Sequence, residues 1–391
     1  MTILTMDSHI FDDIRPFERG EMKFALNELL RDRHFNKMIG GFLPLPKVVR
    51  NALFKLLFVG IKTPLDFQVR FMKPIVRHIL RKHANKASFE HDAICSKGNY
   101  SFISNHRDIV LDSAILSYLL HKSGFATTCE IAIGDNLLIY PWIKTLVRVN
   151  KAFIVRRSLK AKEMLESSRL MSSYIHYAVT QKKENLWIAQ REGRAKDSSD
   201  QTQDSVLKML AMGAEIPPVE SLRELNITPL TISYEYDPCD YLKAQEFQQR
   251  RDDASWKKSK QDDLDNMRIG IFGYKGHVHY HCAPCINEWI DELAELPKQE
   301  FYRVLAERIT AEIHRGYMLY PCNFIAYDEL NGTKHFADRY SAADVKKFDE
   351  YLNGQIAKVS VANPDIPFLR GRILTMYANP VENKLKSCGK V

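Results

Sequence analysis

Residues 101–112 read Ser-Phe-Ile-Ser-Asn-His-Arg-Asp-Ile-Val-Leu-Asp, and this stretch decides the fold that we expect for the chain. An apolar run from Tyr100 to Ile103 ends in small polar residues, His106 follows, and a second apolar run covers Ala114 to Leu120. This pattern predicts a buried strand, a turn and a helix. Open α/β sheets bind their ligands just beyond the carboxyl ends of strands. The sequence therefore predicts an α/β protein with a functional site around His106.

His106 has the chemistry of a general base. An imidazole can take up a proton near neutral pH, and it deprotonates an alcohol well when a carboxylate fixes its tautomer. Asp108 and Asp112 both lie close enough in sequence to supply that carboxylate. A surface histidine beside an aspartate that caps the helix is the simpler interpretation of the same residues. The local sequence leaves both interpretations open.

Charged residues also follow two further predicted strands. An apolar stretch at residues 152–155 leads to Arg156, and a stretch at 185–189 leads to Arg191-Glu192-Gly193-Arg194-Ala195-Lys196. An arginine fork at a strand end suits a phosphate group, and a glycine lets a ligand approach the backbone closely. A charged strand exit without any function would show the same pattern.

Four blocks, in their order along the chain, resemble the motifs of the glycerolipid acyltransferases. They are Asn105-His106-Arg107 with Asp112, Phe153-Ile154-Val155-Arg156, Glu192-Gly193-Arg194, and the apolar strand at 227–235 with Pro229 near its start. Two blocks depart from the family's spacing: the aspartate of the first stands one residue later, and the arginine of the third stands one residue earlier.

The resemblance implies a fold, an activity and a set of site residues. The fold would be a central mixed sheet flanked by helices, as in glycerol-3-phosphate acyltransferases, with a helical N-terminal region. The implied catalytic residues are His106 with Asp112 or Asp108. The implied substrate-binding residues are Arg156, Glu192, Gly193, Arg194 and Lys196. Pro229 would lie on the acyl-donor side. No cofactor is implied beyond acyl-CoA or acyl carrier protein as co-substrate.

The acceptor implied by the resemblance is glycerol-3-phosphate or lysophosphatidate, as in bacterial phospholipid biosynthesis. Three segments, at 135–137, 233–235 and 323–328, are similar to the glycerol-3-phosphate branch of the family. A lysolipid with an amino-acid head group is an alternative acceptor. A non-catalytic lipid-binding protein on the same fold is the alternative from another functional class.

Composition narrows the class of partner and the compartment. The formal net charge of +8 and pI of about 8.9 suit an anionic partner, and no nucleic-acid-binding motif accompanies them. The seven cysteines are odd in number and no secretory pattern opens the chain, which predicts a reducing, cytosolic setting. No apolar run reaches the length of about 18–20 residues that a membrane span needs. We therefore expect peripheral contact with the inner face of a membrane.

Three regions are predicted along the chain. Residues 1–90 form a helical region, 91–330 an acyltransferase domain, and 331–391 a helical tail whose polar end, 379–391, is expected to be loose. Within the first region, residues 47–82 combine apolar positions at helical spacing with many basic residues. Such helices can lie on an anionic bilayer or pack on the catalytic domain, and the pattern leaves both open.

The segment 276–285 contains three histidines and a Cys-x-x-Cys pair. His277, His279 and His281 alternate along a predicted strand, so they share one face of it. The two cysteines lack a second ligand pair at the spacing of a zinc finger. The sequence therefore predicts no metal site.

Overall fold

The protein is described by a computed structural model that covers residues 8–157 and 159–389. A seven-stranded sheet in the order β1-β7-β6-β2-β5-β3-β4 forms its centre. The strands are β1 Lys86–Glu90, β2 Ser101–Ser104, β3 Cys129–Gly134, β4 Ala152–Val155, β5 Asn185–Ala189, β6 Ile227–Tyr234 and β7 His277–Cys282. The predicted α/β class with a central sheet is confirmed.

The sheet is mixed, and most of its strands point the same way. Strands β6, β2, β5, β3 and β4 are parallel, whereas β7 is antiparallel to β6 and β1 is parallel to β7. Ser104, the last residue of β2, pairs with Ala189 on one side and Leu230 on the other. The carboxyl ends of β2, β5, β3 and β4 therefore meet at one edge, where the sequence analysis places the site.

Helices cover both faces of the sheet. One layer contains α6 Leu111–Lys122, and the other contains α8 Ala161–Thr180, α9 Asp204–Leu210, α10 Pro218–Glu224 and α13 Lys298–Arg315. Phe102 packs into the first layer and its neighbour Ile103 into the second, and both are fully buried. A strand that is covered on both faces carries adjacent apolar residues, and the pair Phe102-Ile103 makes β2 recognisable in the sequence.

The N-terminal region is helical, as predicted, up to residue 83. Its helices are α1 Met22–Arg31, α2 Arg33–Phe42, α3 Lys47–Leu57, α4 Pro64–Asp66, a π-helical turn Phe67–Met72, and α5 Lys73–His83. Helices α1, α2 and α3 and the π-helical turn share an apolar core with α7 Pro141–Val149, whereas Val76 and Leu80 of α5 pack in the core with α6. The helical prediction is wrong for residues 86–90, because this short segment pairs along the edge of the sheet as β1. No helix of the described residues is long and apolar enough to cross a membrane.

The C-terminal part is a packed helical layer. It contains α11 Asp240–Asp252, α12 Lys260–Phe272, α14 Pro321–Asn331, α15 Ala342–Ile356 and α16 Ile366–Ser387. The expectation of a loose end is wrong as far as Ser387. Ala378 and Val381 are buried, so α16 is anchored almost to its last turn. Val391 and its neighbour Lys390 lie outside the described residues.

Candidate active site

His106 and Asp112 are in direct contact at the carboxyl end of β2. The Nδ1 atom of His106 lies 2.8 Å from Asp112 Oδ2. The backbone amides of Arg107 and Asp108 donate to the same carboxylate oxygen at 2.6 and 3.0 Å, and the Tyr234 hydroxyl donates to Oδ1 at 3.1 Å. Asp112 also lies in the first turn of α6, where the helix dipole favours a negative charge. The side chain of Asp112 is fully buried and that of His106 is 14% exposed.

Asp108, the second predicted carboxylate, has a different set of partners. Its Oδ1 accepts hydrogen bonds from the backbone amides of Val110 and Leu111 at 2.8 and 2.7 Å, which caps the start of α6. Burial, reinforced by the neighbouring Asp112 carboxylate, raises the pKa of Asp108. Of the two carboxylates that the sequence left open, Asp112 is the one that contacts the histidine, and Asp108 shapes the turn between them.

Two residues that sequence reasoning did not assign hold this turn in place. The side-chain amide of Asn105 is fully buried. Its Nδ2 group donates to the carbonyl oxygen of Ile232 at 2.9 Å, and its Oδ1 atom accepts from the amide of Ile232 at 2.8 Å. Trp187 on β5 places its ring edge-on to the His106 imidazole, with centroids 5.3 Å apart, and donates Nε1–H to Ser104 Oγ at 3.0 Å. Asn105 is next to His106 in the sequence, but its partner Ile232 is on β6, so the local sequence does not predict the contact.

A buried ion pair lies directly behind the histidine. Arg107 Nη2 is 2.7 Å from Asp200 Oδ2, and Arg107 Nη1 donates to Ser198 Oγ at 2.8 Å. The last helix supports the loop that carries these partners, because Asn379 and Asn383 donate to the carbonyl oxygens of Asp197 and Ser198 at 2.7 and 3.0 Å. The loop between β5 and α9 is therefore fixed from both sides.

Arginines lie at the carboxyl ends of β4 and β5, at the same edge of the sheet as His106. Arg156 is exposed and its Nη2 atom is 3.3 Å from Asp13 Oδ2. Arg157, which the sequence analysis did not assign, is 3.5 Å from Glu192 through Nη1. Gly193 is exposed and has a φ angle of +67°, a conformation that suits glycine.

Arg194 and Lys196, between which the sequence did not choose, differ in their partners. Lys196 forms an ion pair with the buried carboxylate of Glu246, and burial lowers its pKa although that ion pair opposes the shift. Arg194 Nη2 donates to Asn266 Oδ1 at 3.1 Å, and its Nη1 atom has no hydrogen-bond partner among the described residues. Arg194 therefore has a donor that is buried and unpaired within the described part of the chain, whereas the charge of Lys196 is already compensated.

Pro229, predicted on the acyl-donor side, is a buried residue of the sheet. It lies opposite Ile103 in the β2–β6 pairing, and its carbonyl oxygen accepts from the amide of Ala283 at 2.9 Å. Pro229 could therefore affect the binding of an acyl donor only indirectly, by changing how β6 packs.

Two comparisons relate the chain to known acyltransferases. The Acyltransferase family model matches residues 81–219, a segment that begins near the end of α5, ends within α10 and contains His106, Asp112, Arg156 and Arg194. The crystal structure of the 1-acyl-sn-glycerophosphate (LPA) acyltransferase PlsC from Thermotoga maritima is similar over 74% of this chain and 91% of that chain, with 11% sequence identity and a TM-score of 0.37. No curated protein matches the chain.

Proposed function

We propose that this chain, whose residues 81–219 match the Acyltransferase family model, is an enzyme of the glycerolipid acyltransferase superfamily. It would acylate the hydroxyl of glycerol-3-phosphate or lysophosphatidate. The donor would be acyl-CoA or acyl carrier protein. The observation that carries the proposal is the contact between His106 and Asp112, because it orients an imidazole at the carboxyl end of β2.

The geometry supports a direct transfer without a covalent enzyme intermediate. The Nδ1–H group of His106 donates to Asp112, so Nε2 carries the lone pair that takes the proton from the acceptor hydroxyl. The hydroxyl oxygen then attacks the thioester carbonyl, the carbon–sulfur bond breaks, and the imidazolium returns its proton to the leaving thiolate. Asp112 remains ionised and stabilises the imidazolium while it exists. Holding the hydroxyl and the thioester together supplies much of the rate gain in such a reaction.

The arginines at the neighbouring strand ends support an acceptor that carries a phosphate. In the order β2-β5-β3-β4 neighbouring strands are about 4.8 Å apart, so the end of β5 lies beside that of β2. The end of β4 lies about 14 Å from β2, so Arg156 would have to extend its long side chain toward the phosphate. We assign the phosphate to Arg156 and Arg194, with Arg157 as a further donor. Glu192, which is 3.5 Å from Arg157, and Gly193 would contact the glycerol portion. An arginine binds a phosphate with two parallel hydrogen bonds, which also fixes the orientation of the acceptor.

The activity experiment compares wild type with His106→Gln in acyl transfer from labelled acyl-CoA and acyl carrier protein. Glycerol-3-phosphate, lysophosphatidate and a lyso amino-acid lipid are offered separately. We expect transfer to a phosphate-bearing acceptor and its loss in the variant. Transfer only to the amino-acid lipid would exclude the phosphate assignment, and equal rates for the two proteins would exclude His106 as the base.

An exposed apolar surface on α3 and the turn that follows it supports contact with a membrane. We call it the α3 surface; it consists of Val48, Val49, Leu53, Leu56, Leu57 and Val59. Val48, Leu56 and Val59 are 81%, 70% and 71% exposed, although apolar side chains of this size are normally covered. The exposed residues Lys47, Lys55 and Lys62 flank it. Apolar side chains with a basic border are typical of helices that lie on anionic bilayers, so we propose that this surface faces the inner leaflet.

Flotation with anionic vesicles tests the α3 surface. The double variant Val48→Glu/Leu56→Glu should lose most vesicle binding, because two charges would have to enter the interfacial region. Ile366→Glu is the matched control, since Ile366 is 47% exposed on a different helix. Equal loss in both proteins would indicate a general charge effect. Unchanged binding of the double variant would rule out this surface.

A further inference from the structure

The structure brings together three metal-ligating side chains that are far apart in the sequence. Glu90 at the end of β1 and His279 and His281 on β7 place one ligand atom each within 4.8 Å of one another. The Glu90 Oε2 atom is 3.6 Å from His279 Nε2 and 3.4 Å from His281 Nδ1. We call these residues the β1–β7 cluster. We propose that the β1–β7 cluster binds a divalent transition-metal ion of the zinc class.

The distances between the ligand atoms suit a metal ion better than they suit hydrogen bonds. Both separations exceed the usual N–H···O range of about 2.7–3.2 Å. Two ligands at about 2.0–2.1 Å from a tetrahedral zinc ion lie roughly 3.3 Å apart, close to the separations seen here. Two imidazoles and one carboxylate form a donor set that zinc uses in proteins, with water at the fourth position.

The surroundings of the β1–β7 cluster fix one of its ligands. Ser88 Oγ is 2.8 Å from His279 Nδ1, on the far side of the ring from Glu90, and 2.7 Å from His277 Nε2. A hydrogen bond to the second ring nitrogen is the usual support of a metal-bound histidine, because it orients the ring and sets its tautomer. The His279 side chain is 5% exposed, whereas those of His281 and Glu90 are 26% and 54% exposed. Solvent can therefore reach the ion from the Glu90 side.

The β1–β7 cluster is separate from the proposed acyl-transfer site. His279 and His281 flank Tyr280, whose hydroxyl donates to the backbone carbonyl of Asp112 at 2.9 Å. Because successive residues of a strand point to opposite faces, the two histidines lie on the other face of the sheet. A bound ion would join the edge strand β1 to β7, and its expected effect is on the stability of that edge.

Zinc titration of the purified, tag-free full-length chain by isothermal calorimetry tests the proposal. We expect one Zn²⁺ per chain, a raised melting temperature, and the visible absorption of tetrahedral Co²⁺ when cobalt replaces zinc. Glu90→Gln and His279→Ala should each weaken zinc binding at least tenfold. His335→Ala is the control, since this exposed histidine lies on another part of the surface.

The glutamate variant is decisive. Glu90→Gln keeps the size of the side chain and both histidines, so a tenfold or greater loss identifies the carboxylate as a ligand. Equal affinity of wild type and Glu90→Gln would overturn the proposal, as would the absence of a stoichiometric site in the wild type. Acyl-transfer activity of Glu90→Gln should equal that of the wild type, which separates loss of the ion from loss of the fold.

Discussion

Replacing Asp112 by asparagine isolates the charge of the carboxylate from its hydrogen bonds. The amide oxygen can take the place of Oδ2 and accept from His106 Nδ1 and the two backbone amides, while the NH₂ group faces the oxygen of Tyr234. Every hydrogen bond of the site then has a counterpart in Asp112→Asn. The variant should therefore fold, and it should differ from wild type in the charge beside the imidazolium.

The magnitude follows from the geometry of the pair. With Nδ1 and Oδ2 2.8 Å apart, the centres of the two delocalised charges are about 4 Å apart. At an effective dielectric constant of about 20, two unit charges at this distance attract by about 4 kcal/mol. In the proposed mechanism the imidazolium forms during the transfer, so we expect kcat of Asp112→Asn to fall roughly a thousandfold.

The assay is steady-state acyl transfer with saturating donor and acceptor, beside thermal melting of both proteins. Asp108→Asn is the matched control: its amide oxygen can still accept from Val110 and Leu111, and Asp108 does not touch the histidine. We expect the control to lose far less activity. A folded Asp112→Asn protein whose kcat falls by less than about tenfold, under about 1.4 kcal/mol, would refute the assignment of Asp112.

Three further predictions concern residues around the site and the helical layer. Tyr234→Phe removes one hydrogen bond to the Asp112 carboxylate, so kcat should fall about fivefold, or about 1 kcal/mol, in the same assay. Gly270→Ala should lower the free energy of unfolding by about 2 kcal/mol in urea melts, because its Cβ would overlap Asp108 Oδ2, whereas Gly371→Ala, with open space around it, should not. Burial, with help from a neighbouring carboxylate, raises the pKa of Asp240 to about 6 from an ordinary 3.8. The folded pKa exceeds the unfolded one, so the stability of wild type relative to Asp240→Asn should be greatest below pH 4. This difference should fall by up to about 3 kcal/mol as the pH rises through 6. Urea melts of both proteins across this pH range that show no such fall would contradict the shift.

Local sequence was sufficient for the parts of the site that local structure determines. The apolar run of β2, the turn after it and the start of α6 are consecutive, so the sequence placed His106 and both candidate carboxylates at one strand end. The choice between them depends on which side chain turns back toward the imidazole. That is set by the first turn of α6 and by the Tyr234 hydroxyl, which comes from a distant strand.

Contacts between distant segments were out of reach of sequence reasoning. The ion pair of Lys196 with Glu246 forms because α11 packs against the loop after β5, and the residues next to Lys196 in the sequence do not predict it. Glu90 likewise meets His279 only because the edge strand pairs with β7. The polar composition of residues 379–387 suggested a loose end, yet their few apolar side chains are enough to anchor one face of α16.

The position of α16 has a consequence for how the enzyme is made. Asn379 and Asn383 hold the loop that carries Asp200, and Asp200 in turn holds Arg107 beside the histidine. Both asparagines follow the whole of residues 81–219 in the chain, so they are synthesised later. Residues 81–219 can begin to fold as soon as they leave the ribosome, but the loop that carries Asp200 gains its support from α16 only after that helix has also been released. A product terminated before Asn379 would lack this support.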